Sequence, residues 1–289
     1  MSREFYHEPL ILLYSGGKDS EVLLALAESV LDVNDFMVVN SHTTVDAPCT
    51  VKIIRDTFKR LEAKGIKTKI EYKHYKDGSP ITMWNLIVKK KMPPSFKSRY
   101  CCQVLKESSA PNRLIAVGVR EDESNSRKGR DTFNTSDSNK NKRLHFSLEH
   151  AEEVFRESLE INDPNWDCTL ISNMKKNKKI ILNPIYEWTT SEVWDYIHEN
   201  NLVINPLYDM GYKRVGCVGC PLGTFKNRAR EFKDFPKYKQ MYINAFQKMV
   251  DECGYAENNP KWKDGQAVFD WWMQTNVNEI KGQMKLFEE

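Results

Sequence analysis

PLILLYSGGKDS, residues 9–20, joins a continuous apolar run to a turn that contains two adjacent glycines. The run Pro9–Tyr14 predicts a strand buried on both faces of a parallel sheet. Ser20–Val30 then carries apolar residues at helical spacing, which predicts a helix directly after the turn. A strand, a tight glycine turn and a helix in this order indicate the first βα unit of an α/β domain.

Further downstream, strand-like and helix-like segments go on alternating, which is typical of an α/β fold with a doubly wound parallel sheet. Ligands of such sheets bind at the carboxyl ends of the strands, so we expect a site in the loops after Tyr14, Val39 and Val119. The predicted strands are Pro9–Tyr14, Phe36–Val39, Lys67–Tyr72, Leu114–Val119 and Ile180–Pro184, and the predicted helices are Ser20–Val30, Val51–Leu61, Thr82–Lys91 and Thr189–Glu199.

The C-terminal part of the sequence has a helical pattern. Pro236–Cys253 is amphipathic and stops at Gly254, a residue that commonly ends helices, and Gln266–Thr275 is a short helical candidate. We therefore predict one domain over residues 1–225, which holds the sheet, and a mostly helical extension over residues 226–289.

Composition and charge fit a globular protein. The 289 residues carry a net charge of +3, far from the level that by itself indicates nucleic acid binding. Residues 97–143 are more basic, with 11 Lys and Arg against 6 Asp and Glu. The polar stretch Glu121–Arg143 within them predicts a long loop, which is either a solvated surface loop or a basic lid over an anionic ligand.

Cysteine use and hydropathy predict a cytoplasmic protein. The sequence has seven cysteines, an odd number, and no secretory signal, so a disulfide framework is not expected. No apolar stretch approaches the about 20 residues that a membrane-spanning helix needs. Clustered cysteines therefore indicate metal or redox chemistry.

The turn Ser15–Ser20 has the features of an anion-binding loop. Gly16 and Gly17 let the backbone approach a ligand closely, and the following helix presents free N–H groups and the positive end of its dipole. Lys18 adds a positive charge, and Ser15 and Ser20 add hydroxyl donors. The spacing of a Walker A loop is absent.

This hexapeptide resembles the PP-loop of ATP pyrophosphatases and phosphoadenosine phosphosulfate (PAPS) reductases at every position. Those enzymes bind adenine nucleotides and act at or near the α-phosphate. The resemblance implies that ATP, or a sulfonucleotide such as PAPS or APS, binds with Mg²⁺. It assigns nucleotide binding to Ser15, Gly16, Gly17, Lys18, Asp19 and Ser20, and catalytic roles to Lys18 and Asp19.

Four of the cysteines form two pairs, the adjacent Cys101 and Cys102 and the C-x-x-C turn of Cys217 and Cys220. Such thiols bind an iron–sulfur cluster, bind zinc, or remain unmetallated. The combination resembles the four-cysteine 4Fe–4S pattern of assimilatory adenylyl-sulfate reductases. That resemblance implies a 4Fe–4S cluster on these four residues.

Three further sequence segments resemble those of the PAPS reductase family. One is Gly118–Ser124, in which Arg120 is expected to contact a phosphate or sulfate and so to be both catalytic and nucleotide-binding. The others are Asn183–Ile197 and Asn205–Tyr212, whose aromatic residues are expected to be mainly structural. Thr43, after the second predicted strand, lies where the family's nucleotide contacts lie.

One family feature is missing from its usual place. Sulfonucleotide reductases carry a nucleophilic cysteine in a C-terminal Glu-Cys-Gly-Leu/Ile-His segment, whereas residues 284–289 read MKLFEE. An internal Glu-Cys-Gly occurs at 252–254, where Gly254 already serves as a helix stop. Cys253, Cys49 and Cys168 are the remaining candidates for such a nucleophile.

The intact loop and the missing segment favour an ATP pyrophosphatase of sulfur metabolism that transfers sulfur. By analogy with sulfur-activating PP-loop enzymes, its partners would be a sulfur-donor protein such as a cysteine desulfurase and a nucleic acid acceptor, with no membrane involved. A sulfonucleotide reductase is the first alternative. A non-catalytic nucleotide-responsive module of a nucleic-acid or defence complex is the second.

Overall fold

The computed structural model describes residues 2–3, 7–110, 113–123, 132–136, 145–146 and 179–274. Packing divides the chain into two units that alternate along the sequence. The sheet unit comprises the described residues of 1–41, 49–71 and 109–215, and the helical unit comprises those of 42–48, 72–108 and 216–289. The boundary at residue 225 stays a prediction.

A seven-stranded sheet forms the centre of the sheet unit, in the order β3-β2-β1-β4-β7-β5-β6. The first five strands in this order are parallel, and β5 is antiparallel to its two neighbours, β7 and β6. The predicted α/β fold with a doubly wound parallel sheet is therefore confirmed. The strands are β1 Leu10–Leu13, β2 Phe36–Ser41, β3 Lys67–Glu71, β4 Leu114–Ala116, β5 Phe133–Ser136, β6 His145–Phe146 and β7 Lys179–Leu182.

Strand β5 lies within Glu121–Arg143, which the sequence predicted to be a loop. It pairs with β7, with Thr135 opposite Ile180. The prediction of a loop was wrong for β5. A strand near the edge of a sheet is stabilised by backbone hydrogen bonds, which a polar sequence forms as well as an apolar one.

Helices cover the sheet where the apolar pattern predicted them. They are α1 Lys18–Val30, α2 Pro48–Ala63 and α5 Thr190–Glu199. Leu12 of β1 and Leu24 of α1 are fully buried in one core cluster that includes Phe58 of α2, and each contributes about 1.5–3 kcal/mol by its burial.

The sequence signal at Thr189 is confirmed as a helix start. Its hydroxyl accepts a hydrogen bond from the Glu192 backbone N–H, and the Glu192 carboxylate accepts one from the Thr189 backbone, which forms a capping box. Val193 and Ile197 of α5 then pack with Val22 of α1. The cap therefore sets the start of the helix that packs on α1.

Strand β1 lies between β2 and β4, so the order of the strands reverses beside it. In open α/β sheets, the crevice at such a reversal is where ligands bind, outside the carboxyl ends of the strands. The loop after β1 joins this point to the N-terminus of α1. The topology thus places Ser15–Ser20 at the position that the sequence predicted.

The helical unit contains most of the described C-terminal residues, in agreement with the predicted helical region. Its core is aromatic, with Tyr242 and Phe246 packed against Trp272, whose Nε1 donates to the Pro94 carbonyl oxygen at 2.7 Å. No helix in the described part of the chain is both long and apolar enough to cross a membrane. The helices are α3 Met83–Lys90, α4 Tyr100–Cys102, α6 Phe225–Asp234, α7 Pro236–Cys253, α8 Tyr255–Asn258 and α9 Gly265–Gln274.

Candidate functional site

The loop Ser15–Ser20 is a tight turn that closes on itself. Gly16 has φ +73°, a left-handed conformation that suits glycine, and a Cβ there would lie 3.2 Å from the Ile54 side chain. The Ser20 hydroxyl donates to the Gly17 carbonyl oxygen at 2.8 Å and lies 3.2 Å from the Ser15 hydroxyl. Helix α1 begins at Lys18, and Gly17 before it has no side chain to cap the first turn.

Two buried asparagines hold the loop backbone. The Asn205 side-chain amide donates to the Gly16 carbonyl oxygen at 3.1 Å and to the Thr50 hydroxyl at 2.9 Å. Asn40 donates to the Tyr14 carbonyl oxygen at 2.9 Å. Buried side-chain amides are normally hydrogen-bonded to defined partners, so these two residues fix the position of the turn. The sequence analysis did not assign Asn40 a role and treated the Asn205 phrase as mainly structural.

Lys18, Asp19 and Arg120 form one charged group at the start of α1. The Lys18 ammonium lies 2.9 Å from Asp19 Oδ2, and Arg120 Nε donates to Asp19 Oδ1 at 2.6 Å. Arg120 is 1% exposed and also donates through Nη1 to the Trp188 carbonyl oxygen at 3.0 Å. The structure thus joins the three predicted catalytic residues. It shows the Arg120 guanidinium bonded within the protein, so its contact with a phosphate stays a prediction.

Gly118 allows this group to form. A Cβ at position 118 would lie 2.8 Å from both the carbonyl carbon and the carbonyl oxygen of Asp19. Any side chain there would push the end of β4 away from the first turn of α1. The glycine of the Gly-Val-Arg phrase is therefore needed for the backbone approach that brings Arg120 to Asp19.

Tyr208 contacts the loop as well. Its hydroxyl accepts a hydrogen bond from the Lys18 backbone N–H at 2.9 Å, so it satisfies one first-turn amide of α1. Burial raises the pKa of Tyr208 to about 12. The phenol is therefore neutral, and its oxygen lies where an oxygen atom of a ligand would accept a hydrogen bond from the same N–H group.

Thr43 lies in the helical unit. Its hydroxyl donates to Asp46 Oδ2 at 2.7 Å, and the Cys217 thiol lies 3.6 Å from the same hydroxyl. His42, its neighbour, packs its ring against Tyr72 with 5.1 Å between ring centroids. These contacts tie Thr43 to the segment that carries Cys217, and its predicted contact with a nucleotide stays a prediction.

All four predicted metal-binding cysteines lie in the helical unit. Cys101 and Cys102 stand on α4, and Cys217 and Cys220 flank a turn in which the Cys220 backbone N–H donates to the Cys217 carbonyl oxygen at 3.2 Å. Each is a free thiol. Cys168 lies outside the described residues. Among the residues that the structure describes, no three His, Cys, Asp or Glu side chains form a group that could hold a metal ion.

The four thiols nevertheless influence one another electrostatically. A hydrogen bond to Cys102 and burial raise the pKa of Cys101, and Cys217 and Cys220 raise it further. The same hydrogen bond, together with Arg99, lowers the pKa of Cys102. Burial raises the pKa of Cys217 to about 11 despite the nearby Lys106. Cys102, Cys217 and Cys220 therefore lie close enough to Cys101 for their charges to interact with it.

Comparison with known proteins decides the family. The model of the phosphoadenosine phosphosulfate reductase domain matches residues 9–222, which include the loop, Arg120 and all four cysteines. The chain belongs to this family. This confirms the resemblance on which the site was predicted.

Three proteins that are similar to this chain show how much of it such relatives match. The uncharacterized protein MJ0066 of Methanocaldococcus jannaschii is 24% identical over 259 residues, which cover 86% of this chain and 44% of that protein. An adenosine 5'-phosphosulfate reductase of Anoxybacillus flavithermus is 46% identical over 46 residues, or 16% of this chain and 20% of the reductase. The crystal structure of PAPS reductase from Candida auris, a phosphate complex, aligns with a TM-score of 0.43 and 15% identity over 74% of this chain and 83% of that one. The chain thus spans less than half the length of the two curated relatives.

Three cationic side chains lie beside the thiols, and their charge would suit the anionic cluster that the cysteine pattern predicted. Four thiols are the donor set of iron–sulfur clusters, and Arg99 and Lys106 bring positive charge beside them. Arg228 is 3% exposed and adds a third cation. Burial lowers its pKa, and Tyr242, Glu231 and Cys220 oppose that shift. The Arg228 Nε has no hydrogen-bond partner in the described structure. A buried unpaired donor of this kind suits an anionic neighbour.

Cys253, the candidate for the reductases' nucleophile, is the last residue of α7 and is half-buried. Gly254 follows it with φ 62° as the left-handed C-cap, so the predicted helix stop is confirmed. The Glu-Cys-Gly sequence at 252–254 therefore has a complete structural explanation as a helix end.

Proposed function

We propose that this chain binds ATP on the loop Ser15–Ser20 and is an ATP pyrophosphatase that transfers sulfur. The observation that carries the proposal is the charged group of Lys18, Asp19 and Arg120 at the start of α1, beside the loop and at the strand-order reversal. Family membership supports an adenine nucleotide as the ligand. We also propose which kinds of molecule donate the sulfur to the reaction and accept it.

The loop supplies the anion-binding groups. First-turn N–H groups of α1, the helix dipole and the Lys18 ammonium all favour a polyphosphate. Asp19 is the carboxylate of this group, and its oxygens are the hard ligands that Mg²⁺ prefers. The Asp19 carboxylate, whose side chain is 16% exposed, would hold the magnesium ion. Bound Mg²⁺ would neutralise charge at the phosphates.

The reaction would proceed at the α-phosphorus. An oxygen atom of the acceptor attacks it, the bond to the bridging oxygen breaks, and pyrophosphate leaves with that oxygen's electron pair. Lys18 and the loop N–H groups stabilise the negative charge that develops. The terminal sulfur of a persulfide on a donor protein, such as a cysteine desulfurase, then displaces AMP from the adenylated acceptor. A dithiol reductant cleaves the resulting disulfide, which leaves the sulfur on the acceptor and releases the donor as a thiol. The basic stretch of residues 97–143 suits a nucleic acid as that acceptor.

Cys101, Cys102, Cys217 and Cys220 would hold a 4Fe–4S cluster. When bound, the cluster would supply a site that holds or delivers sulfur. Within the protein, Arg99, Lys106 and Arg228 would offset its negative charge. The contact of the Cys217 sulfur with the Thr43 hydroxyl, at 3.6 Å, would help to orient that sulfur.

The reaction is tested by incubating the anaerobically purified chain with ATP, Mg²⁺, a sulfur donor and nucleic acid, and analysing the products. We expect AMP and pyrophosphate in equal amounts. ADP and phosphate would contradict attack at the α-phosphorus. Binding of ATP without turnover would instead favour a nucleotide-responsive module.

A sulfonucleotide reductase is the second candidate, because the family model and the reductase relative point to it. It would require thiol-dependent release of sulfite from PAPS or APS through a nucleophilic cysteine. The same preparation, supplied with PAPS or APS and a dithiol, provides this assay. Sulfite release without any pyrophosphate release from ATP would replace the first proposal with the second.

The cluster is tested by metal analysis of cysteine variants. We expect about four irons per wild-type chain and a broad absorbance band near ~400 nm, because thiolate-ligated clusters absorb there and zinc does not. Cys220→Ser is expected to lose most of the iron, since serine replaces one thiolate ligand. Cys253→Ser, the matched control at the end of α7, should keep it. Zinc in the wild-type chain, or equal iron in both variants, would refute the four-cysteine assignment.

A further inference from the structure

A cavity lies in the sheet unit, separate from the residues of the loop. Its volume is about 500 Å³, within the range of pockets that bind small molecules. It is formed by α1, α2 and residues 201–206, and no residue of Ser15–Ser20 lines it. One wall is apolar and consists of Ala25, Ile53, Leu202, Val203, Ile204 and Pro206. Val203 is 75% exposed, which leaves apolar surface uncovered beside the cavity.

Glu21 is the buried polar group of this cavity. It is 7% exposed, and its Oε2 accepts a hydrogen bond from the buried Tyr14 hydroxyl at 2.5 Å. That hydroxyl also lies 3.3 Å from the Thr57 hydroxyl, so Tyr14 is held from two sides. Within the described part of the chain, no hydrogen bond reaches the other carboxylate oxygen, Oε1. This oxygen is the acceptor that the cavity offers to a ligand.

The remaining charges of the cavity wall already form ion pairs. Glu28 binds Arg60 and Lys64 at 2.9 and 2.7 Å, and Lys52 binds Asp56. Among the described residues, Glu21 is in no ion pair of its own. Burial raises its pKa, and the hydrogen bond from Tyr14 and the charge of Arg60 offset this only in part. Burying a carboxylate without a directly bound cation is costly, and a cationic ligand would offset that cost.

We propose that this cavity binds a small organic amine, with its ammonium group on the carboxylate of Glu21 and its apolar body against Ile53, Leu202 and Ile204. An ionised carboxylate only accepts hydrogen bonds, so it selects donors and favours charged donors most. An anionic ligand of the same shape would meet repulsion from Glu21. The site is distinct from the nucleotide function and does not depend on it.

Isothermal titration calorimetry of the full chain with three matched probes tests the proposal. The probes are 2-phenylethylamine, 2-phenylethanol and 3-phenylpropanoate, which share an aromatic body and differ in charge. We expect the amine to bind with a Kd of about 1 mM or tighter, given the affinity that ligands of this size reach. The alcohol should bind about tenfold more weakly, since it lacks the charge-assisted hydrogen bond, and the acid should not bind.

Variants locate the binding. Glu21→Gln keeps an acceptor for Tyr14 and should reduce the affinity for the amine about tenfold, to that of the alcohol. Ala25→Leu keeps helix propensity, fills part of the cavity and should weaken both probes. Glu199→Gln, at the exposed end of α5, should change nothing. The proposal is overturned if no probe binds, if the amine binds no better than the alcohol, if Glu21→Gln leaves the amine affinity unchanged, or if ATP displaces the amine.

Discussion

Lys18→Ala is expected to release pyrophosphate from ATP about 10²–10³-fold more slowly than the wild-type chain, the usual cost of removing a group that stabilises developing charge. The Lys18 side chain is 8% exposed and stands in the first turn of α1, where the helix dipole already favours anions. In a site so largely screened from water, its charge interacts strongly with a phosphate. The measurement is the initial rate of pyrophosphate release under saturating ATP.

Lys59→Ala is the matched control for Lys18→Ala, because Lys59 lies exposed on α2. It should retain the wild-type rate. A Lys18→Ala variant that keeps more than about a third of the activity while binding ATP normally would show that the loop lysine does not stabilise the transition state. A variant that no longer binds ATP at all would place the role of Lys18 in binding.

Arg120→Ala is expected to lower the free energy of unfolding by about 3–5 kcal/mol, because it breaks a buried ion pair. Arg120 bonds Asp19 and the Trp188 carbonyl oxygen from a position that is 1% exposed. Removing it leaves the Asp19 carboxylate and a backbone carbonyl without this donor. Thermal unfolding should show the midpoint lowered by about 10 °C.

Two further variants show how Arg120 acts. Arg120→Lys keeps the charge but loses the planar fork that reaches two acceptors, so we expect an intermediate loss of stability. Arg55→Lys, at an exposed position on α2, should leave the midpoint unchanged. An Arg120→Ala variant with a wild-type midpoint and lost activity would show that Arg120 acts on the phosphates and does not hold Asp19.

Much of the fold was predictable because its signals are local. The apolar run at β1, the helical spacing of α1 and the cap at Thr189 each depend on residues within a few positions of one another. The strand β5 was not predicted, because its partner β7 lies more than forty positions away and its side chains carry no apolar pattern.

For the candidate site, the sequence supplied the loop and not the residues that hold it in place. The loop was identified because an anion-binding turn needs its glycines and its lysine at neighbouring positions in the sequence. The match of residues 9–222 to the family supports this identification. Asn40, Asn205 and Tyr208 were not assigned to the loop, although Asn205 and Tyr208 bond the loop backbone and Asn40 bonds the carbonyl oxygen of Tyr14 just before it. A buried asparagine has no sequence signature, because its partners are chosen by packing between distant segments.

By itself, the sequence determined the order along the chain of the five parallel strands and of the helices between them, the loop with its lysine and aspartate, and the four cysteines that a cluster would need. Only the tertiary structure decided that Asp19 is bound by Arg120, 101 positions away, and that Glu21 faces a cavity with one carboxylate oxygen unbonded. The reason is physical. Backbone conformation and side-chain periodicity follow from neighbouring residues, whereas burial and the choice of hydrogen-bond partners follow from which distant segments meet.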